Sequence, residues 1–500
     1  MKLLRLILTV AAATVCCAAK EAGDWPRFRG PNGSGVSQAT GLPIEFNRSQ
    51  NLLWKAAVPP GHSSPVLPDN RAQWKAGVAE IDITPETSVW MAGYAARNKP
   101  SEGTAQDLHA KALALEDSRG KRAVLITADL LGFPRETSAH IAEQLRQKHH
   151  LPRDAVLFNA SHTHGGPVVR RTLAVAYDLN PEQWSAIEDY TKQLEEKIAA
   201  VVEKALQNLA PAHVKFGRSS ASFAKNRREL RDGRFVGGTN PAGPVDHDVP
   251  VLRVEKGDGG LLAVVFQYAC HNTTVGADMV RFHGDYTGWA QQWLQNKHPG
   301  AIAMFMAGCG ADANPSPRGT MELARQHGEA LAQSVEAAMQ GPMKVVQSPL
   351  TMKFEEFPVD FARPPGRGDF EQKIKTGNVY ERRHAQEMLR IMDRDGRLPN
   401  RYPYSVQVWK FGPDLTMIAL AGEVVVDYVL RLKRELGSEK LWVAGYSNDV
   451  FAYIPSLRIL QEGGYEGGGA MIYYVQPGPF APSIEETIIG RIHQMIDRMN

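Results

Sequence analysis

From Trp74 to the end of the chain, short apolar runs alternate with segments of helical period, and that alternation leaves few architectures open. The runs 124–128, 155–158, 262–268, 301–306, 415–421 and 441–444 have the length of strands and are continuously apolar. A continuous run suits a strand buried on both faces. The segments 137–148, 181–209, 321–338 and 484–499 instead repeat their apolar residues at helical spacing. Strands interleaved with helices predict an α/β domain, a largely buried mixed sheet flanked by helices. Neither an internal repeat nor a low-complexity linker interrupts residues 74–500, so one large domain is expected there.

The ends of the apolar runs carry the chemistry. Asp129 follows the first; His162 and His164 follow the second; Cys270 and His271 follow the third. The fourth runs into Gly308-Cys309-Gly310-Ala311-Asp312-Ala313-Asn314-Pro315, the fifth into Gly422 and Glu423, and the sixth toward Asn448, Asp449 and Tyr453. Strands commonly stop in polar loops, so one such end means little. Six ends with this mix of His, Asp, Glu, Asn and Tyr predict a shared site, because open α/β sheets bind ligands beyond the carboxyl ends of their strands. The H-x-H pair is its centre. In extended backbone residues i and i+2 point to the same side, so His162 and His164 can face one point. That geometry suits a metal site, or one ligand paired with a general acid/base. The Gly165-Gly166-Pro167 turn permits a close approach.

Composition excludes other classes. With 43% hydrophobic and 22% charged residues the 500-residue chain is neither disordered nor disulfide-dense. Residues 1–19 read as a secretory signal: Lys2 and Arg5 lead, Leu6 to Val15 form an apolar centre too short to span a bilayer, and Cys17-Ala18-Ala19 offers a cleavage site. A secreted or periplasmic protein follows; lipoprotein anchoring through Cys16 or Cys17 fits Thr14 and Val15 poorly. Removing Lys2 and Arg5 takes the net charge from +3 to +1 (3 minus 2), which calls for no nucleic acid or other polyanionic partner. The most basic stretch, 225–234, reads as a solvated loop. Cys270 and Cys309 remain after cleavage, either bridged or as two buried thiols. Oligomeric state is not legible.

Residues 20–73 differ in character. The stretch W-P-R-F-R-G-P-N-G at 25–33 resembles the opening of quinoprotein-like β-propellers, but there is room for one blade where closure needs several. A truncated remnant, an irregular extension without a quinone cofactor, is expected.

Larger motifs carry a second resemblance. S-H-T-H-G-G-P at 161–167, C-H-N-T-T at 270–274, H-G-D-Y-T-G-W-A at 283–290, A-G-E at 421–423 and N-D-V-F-A-Y-I-P-S at 448–456 resemble the neutral/alkaline, non-lysosomal ceramidases, as do D-I-T-P and M-A-G-Y-A at 82–85 and 91–95. The resemblance runs from about Gly77 to Tyr474. It implies a zinc amidase, with Zn²⁺ held by His162, His271, Glu423 and Tyr453 and with His164 as the proton-transfer group. Asp129 or Asp285 would orient a ligand imidazole from behind; Asn226 and Arg227 match a polar N-R motif that contacts substrate, and Asn448 would support the site. Against these stand ordinary readings, in which Glu423 starts a helix, Tyr453 edges the core and Asp285 caps the helix after it.

One departure bears on mechanism. The family's serine nucleophile lies in G-D-x-S-P-N, where this chain has G-A-D-A-N-P-S-P at 310–317. Ala313 or Asn314 takes the serine's place, and neither attacks a carbonyl as an alcohol does. Attack by metal-activated water is therefore expected, with Asp312 and Asn314 in the catalytic site and Asn314 or the N–H groups of 308–310 steadying the oxyanion. Ser316, between two prolines, is the nearby alternative. The chain ends at Asn500, soon after the last motif, so the family's C-terminal immunoglobulin-like module is not expected. The expected substrate is a small-molecule or lipid-like amide or ester. A metal-dependent phosphoesterase and a non-catalytic secreted binding protein are the alternatives.

Overall fold

The computed structural model describes residues 73–499; the expected signal segment and, but for Gln73, the propeller-like extension lie outside the described residues. Strands β1 (Trp74–Asp82), β2 (His109–Asp117), β3 (Arg122–Ala128) and β4 (Val156–Ala160) come first, and β5 (Ala210–Ser220) returns beside β1. A hairpin of β6 (Ala224–Arg231) and β7 (Arg234–Asn240) precedes β8 (Asp248–Lys256), β9 (Leu261–Tyr268), β10 (Ile302–Ala307) and the short β11 (Ala313–Pro315). The remainder carries β12 (Lys344–Val345), β13 (Leu350–Asp360), β14 (Arg401–Phe411), β15 (Leu415–Leu420), β16 (Glu423–Val424), β17 (Leu441–Ala444) and β18 (Tyr453–Ile454). A large mixed sheet runs β10-β9-β8-β5-β1-β2-β3-β4, with β12 on β5. A second sheet runs β13-β14-β15-β17. The fold is mixed α/β, as the alternating pattern predicts.

The six continuously apolar runs have a common fate. They become β3 with β4, β9 with β10, and β15 with β17, which are the parallel pairs of the two sheets. Parallel strands lie inside the molecule and bury both faces, which is why their sequences do not alternate. The antiparallel strand β5 does alternate: Val214 and Phe216 are buried, His213 and Lys215 partly exposed. A parallel pair ends on one side, so each pair delivers two polar strand ends to the same place.

Buried amides stitch these ends together. Asn159, on β4, donates to Gly445 O at 2.8 Å and accepts from Ala307 N at 2.7 Å, joining β4, β10 and the end of β17. Gln267 donates to Val443 O at 2.9 Å and accepts from Trp442 Nε1 at 2.6 Å. Left unpaired in a core, such amides would cost several kcal/mol; fully paired, they fix one arrangement of the two sheets.

Helices cover the sheets as their sequences dictate. The helix Pro181–Gln207 starts at a capping box, Asn180 with Gln183, has proline in its first turn and buries Ile187, Leu194, Ile198, Val201 and Val202 on one stripe. Each such side chain contributes about 2 kcal/mol of burial. The helices Asp285–Lys297 and Met321–Gln340 pack on each other beside β10 and β5. No helix among the described residues is long and apolar enough to cross a membrane. Cys270 and Cys309 are free, buried thiols, which decides between the two readings of that pair.

One expectation fails here. The basic stretch 225–234 is not a solvated loop: it forms β6 and the turn into β7, and Arg228 is only 3% exposed. Its guanidinium is neutralised by Glu462 and Glu466, so charge density in the sequence did not mean exposure.

Candidate metal centre

Three imidazoles meet where the strands end. His162 Nε2 lies 3.2 Å from His271 Nε2 and 3.4 Å from His164 Nε2. Glu423 Oε2 stands 3.2 Å from His162 Nε2 and 3.1 Å from His271 Nε2, and the Tyr453 hydroxyl is 3.2 Å from His271 Nε2. Glu423 and Tyr453 are register partners in the parallel pair β16–β18, which sets their side chains together. His162, His271 and Glu423 are 1–2% exposed, whereas His164 is partly exposed and marks the open side.

The histidines do not converge for the reason their spacing suggests. β4 stops at Ala160, and His162 adopts a left-handed backbone with φ 58°. For a residue bearing a Cβ this costs about 1–2 kcal/mol, so strain rather than strand alternation aims the ring.

The supporting contacts settle what the ring nitrogens can do. His162 Nδ1 is 2.7 Å from Leu131 O and His271 Nδ1 is 3.2 Å from Gly310 O. A carbonyl only accepts, so each Nδ1 carries the proton and each Nε2 presents a bare lone pair toward the other. Glu423 Oε2 faces both and is buried without a hydrogen-bond donor. Two imidazole nitrogens and a carboxylate oxygen converge with the Tyr453 hydroxyl as the one donor at hand, too few protons for the acceptors present; such a set suits a cation, and His162, His164 and His271 could hold a metal ion. The orienting groups are main-chain carbonyls, which corrects the assignment of Asp129 and Asp285. Asp129 accepts from His109 N and Gln291 Nε2; Asp285 accepts from Val275 N and Tyr286 N, and neither touches an imidazole of the cluster.

Burial disfavours the charged form of two of the imidazoles. Burial, with help from Arg227, pushes His271 down to about 3, and burial with the two neighbouring imidazoles holds His164 well below its ordinary value. Burial opposes ionisation of Glu423, but the two histidines outweigh it and bring the carboxyl well below the usual range. The Tyr453 hydroxyl is raised well above its ordinary value by burial, against the pull of Arg227, and stays a phenol.

Other expected residues divide into two groups. Arg227 donates to Tyr453 OH at 3.0 Å and to Glu466 at 2.7 Å, and Asn314 Oδ1 accepts from Thr273 Oγ1 at 3.3 Å beside it; both border the centre. Asp312, Asn226 and Asn448 are structural instead. Asp312 accepts from Val426 N and Asn226 Nδ2, with burial lifting its carboxyl to about 6. Asn448 binds Gln407 and the main chain of Phe158. The N–H groups of Gly308 and Gly310 are already given to Tyr268 O and Gly308 O, so they are not available to an oxyanion.

Sequence reasoning missed Tyr474, which donates to Glu423 Oε1, and Tyr94, whose ring lies 4.7 Å from that of His164. Tyr94 sits inside M-A-G-Y-A, a motif read only as a family mark. Gly93 beside it is required: a Cβ there would stand 2.5 Å from the His164 ring. The glycine-rich stretch 462–470, whose composition predicts a mobile loop near the site, does border it, but Glu466 pins it to Arg227 and Arg228.

A mixed sheet whose parallel pairs deliver a buried, acceptor-rich cluster of imidazoles and a carboxylate defines an α/β protein built around a candidate metal centre. Comparison with known proteins is more specific. The N-terminal region of the neutral/alkaline non-lysosomal ceramidases matches residues 74–329, and the chain belongs to that family. Neutral ceramidase of Drosophila pseudoobscura pseudoobscura is 26% identical over 275 residues, 50% of this chain and 37% of that protein. The chain thus spans well under half the length of the curated relatives it matches. A ceramidase solved in complex with C2 superposes with a TM-score of 0.65 at 18% identity, over 83% of this chain and 73% of that one. Neutral ceramidase from Pseudomonas aeruginosa gives 0.62 at 18%, over 83% and 75%. These superpositions show a shared fold.

Proposed function

We propose that this chain is an exported zinc-dependent hydrolase that cleaves an amide bond in a lipid-like substrate, as its family membership suggests. The observation that carries the reading is the buried convergence of three acceptors, His162 Nε2, His271 Nε2 and Glu423 Oε2. Zinc bound at about 2.0–2.1 Å from its ligands sets tetrahedral neighbours about 3.3 Å apart, close to these separations. His162, His271, Glu423 and Tyr453 would hold it, and two neutral imidazoles with one carboxylate suit zinc. Bound zinc supplies Lewis acidity, which polarises an amide carbonyl and lowers the pKa of a water molecule toward 7.

The chain's own groups do the rest. His164 is neutral, faces the cluster through Nε2 and has a buried Nδ1 with no partner among the described residues, so it can take up a proton and pass it to a leaving amine. Tyr94 and Gly93 hold its ring in place. Arg227 fixes the Tyr453 hydroxyl, and Tyr474 fixes Glu423. The Asn314 carbonyl is occupied by Thr273, which turns its amide N–H groups toward the role of oxyanion donor. Ser316 takes no part in bond cleavage in this account. The test is a screen of N-acyl amides, ceramide and phosphoesters with zinc-supplied protein, Ser316→Ala and His164→Ala. Amide cleavage kept in the first variant and lost with zinc retained in the second supports the reading. Activity abolished in Ser316→Ala, or turnover of phosphoesters alone, overturns it.

A further inference from the structure

Beside the metal centre lies a cavity of about 590 Å³ whose lining includes Lys225, Arg227, Asn314, Ser316, Arg318 and Glu466. Its charge is one-sided. Glu466, the one acid on that wall, already gives Oε1 to Arg227 and Oε2 to Arg228. Lys225 and Arg318 have no carboxylate partner among the described residues. Lys225 stands opposite Asn314 in the β6–β11 register, and both line the cavity. Arg318 lies close enough to Tyr94, the residue against the His164 ring, to oppose the burial that raises its hydroxyl. The cavity joins the centre through one side chain, since Arg227 donates to Tyr453 OH at 3.0 Å and that hydroxyl is 3.2 Å from His271 Nε2.

Unneutralised cations lining a concave wall concentrate an anion and reward one that can accept charge-assisted hydrogen bonds. Arg227 offers a planar fork already oriented by Glu466, and Lys225 and Arg318 add mobile donors at the rim. A neutral ceramide would leave Lys225 and Arg318 unused. We propose that this cavity receives an oxyanion carried by the substrate, a carboxylate or a phosphate, so that the substrate class is an anionic N-acyl amide whose scissile bond lies at the imidazole cluster. The proposal rests on the hydrolase reading above and narrows it.

The experiment compares kcat/KM for three amides of one acyl chain, N-dodecanoyl glycine, N-dodecanoyl phosphoethanolamine and neutral N-dodecanoyl ethanolamine, using zinc-supplied full chain. At least one anionic amide should exceed the neutral one by about tenfold or more, and the advantage should shrink as salt is added. Whichever anion leads identifies the headgroup. In Lys225→Gln/Arg318→Gln the anionic-to-neutral ratio should fall toward one, and Arg318→Glu should invert it, while Arg318→Lys restores most of it. Both side chains are at the surface or partly so, and an unchanged thermal midpoint separates loss of the anion contact from loss of the fold. A ratio near one in the parent chain, or one unmoved by the double variant, overturns the proposal and leaves the hydrolase reading intact. If no amide is cleaved, calorimetric titration with inorganic phosphate and N-dodecanoyl glycine decides. Binding that the double variant abolishes keeps the anion site and rejects the hydrolase reading; no binding rejects both.

Discussion

Replacing Gly310 by alanine tests how the strand ends hold the centre. A Cβ at Gly310 would stand 2.3 Å from Ala269 C and Cys270 N and 2.6 Å from Ala269 O, all main-chain atoms that no rotamer change can move. Ordinary carbon contacts begin near 3.4 Å, so the segment must shift by about 1 Å and open the gap between the ends of β9 and β10. Overpacking against backbone falls at the upper end of its usual cost, about 3 kcal/mol. The same shift carries the Gly310 carbonyl away from His271 Nδ1, 3.2 Å distant, and loses the contact that fixes the tautomer. Losing such a support lowers metal affinity by about 10- to 100-fold. Gly300→Ala is the control. Gly300 sits just before β10 with φ 86° and open space around its Cβ, so alanine there costs about 1–2 kcal/mol of backbone strain and leaves the centre alone. Denaturant unfolding without metal and competitive zinc titration measure the two effects separately. Gly310→Ala with the destabilisation but parental zinc affinity would refute the claim that this carbonyl prepares His271.

Two further perturbations are quantitative. Arg227→Met leaves the buried Glu466 with only Arg228 and should cost about 2–3 kcal/mol; in a cycle with Glu466→Gln the coupling should reach about 1.5–3 kcal/mol, and a value under about 0.5 would show that the 462–470 segment is not clamped as described. His283 is pushed by burial down to about 4 from 6.5, so between those values the unfolded chain binds more protons and stability rises with pH. Its contribution, about 3 kcal/mol, is complete above pH 6.5 and lost as pH falls toward 4. Metal-free His283→Asn should therefore lose about 2–3 kcal/mol less than the parent between pH 7 and 4.5, as read from urea midpoints; equal losses would place the acid sensitivity elsewhere.

Much of the architecture was legible because parallel strands leave a plain mark. Continuous apolar runs such as 155–158 and 301–306 had one reading, and the three parallel pairs they form put the polar ends together. His162, His271 and Glu423 stood out as strand-end residues for that reason, and the ceramidase resemblance implied their role as ligands. What escaped depends on backbone geometry or on partners far along the chain. The left-handed turn at His162 leaves no trace in residue type, and the true orienting groups, Leu131 O and Gly310 O, belong to the main chain, where one residue looks like another. Asp129, Asp285, Asp312 and Asn448 were chosen because polar residues near a site invite a role in it. Each instead accepts from a buried or partly buried main-chain N–H group, work that a compact fold requires whatever its function. Arg228 looked like a solvent-facing charge because its pairing with Glu466 spans more than two hundred residues.

The most direct measurement is zinc stoichiometry by mass spectrometry on the purified full chain, with His162→Ala, His271→Ala and Glu423→Gln beside it. The account predicts one zinc per chain in the parent and a loss of at least most of it in either histidine variant, with Glu423→Gln weakened. A parent chain that binds no zinc, or histidine variants that retain it in full, would contradict the claim that these acceptors meet around a cation.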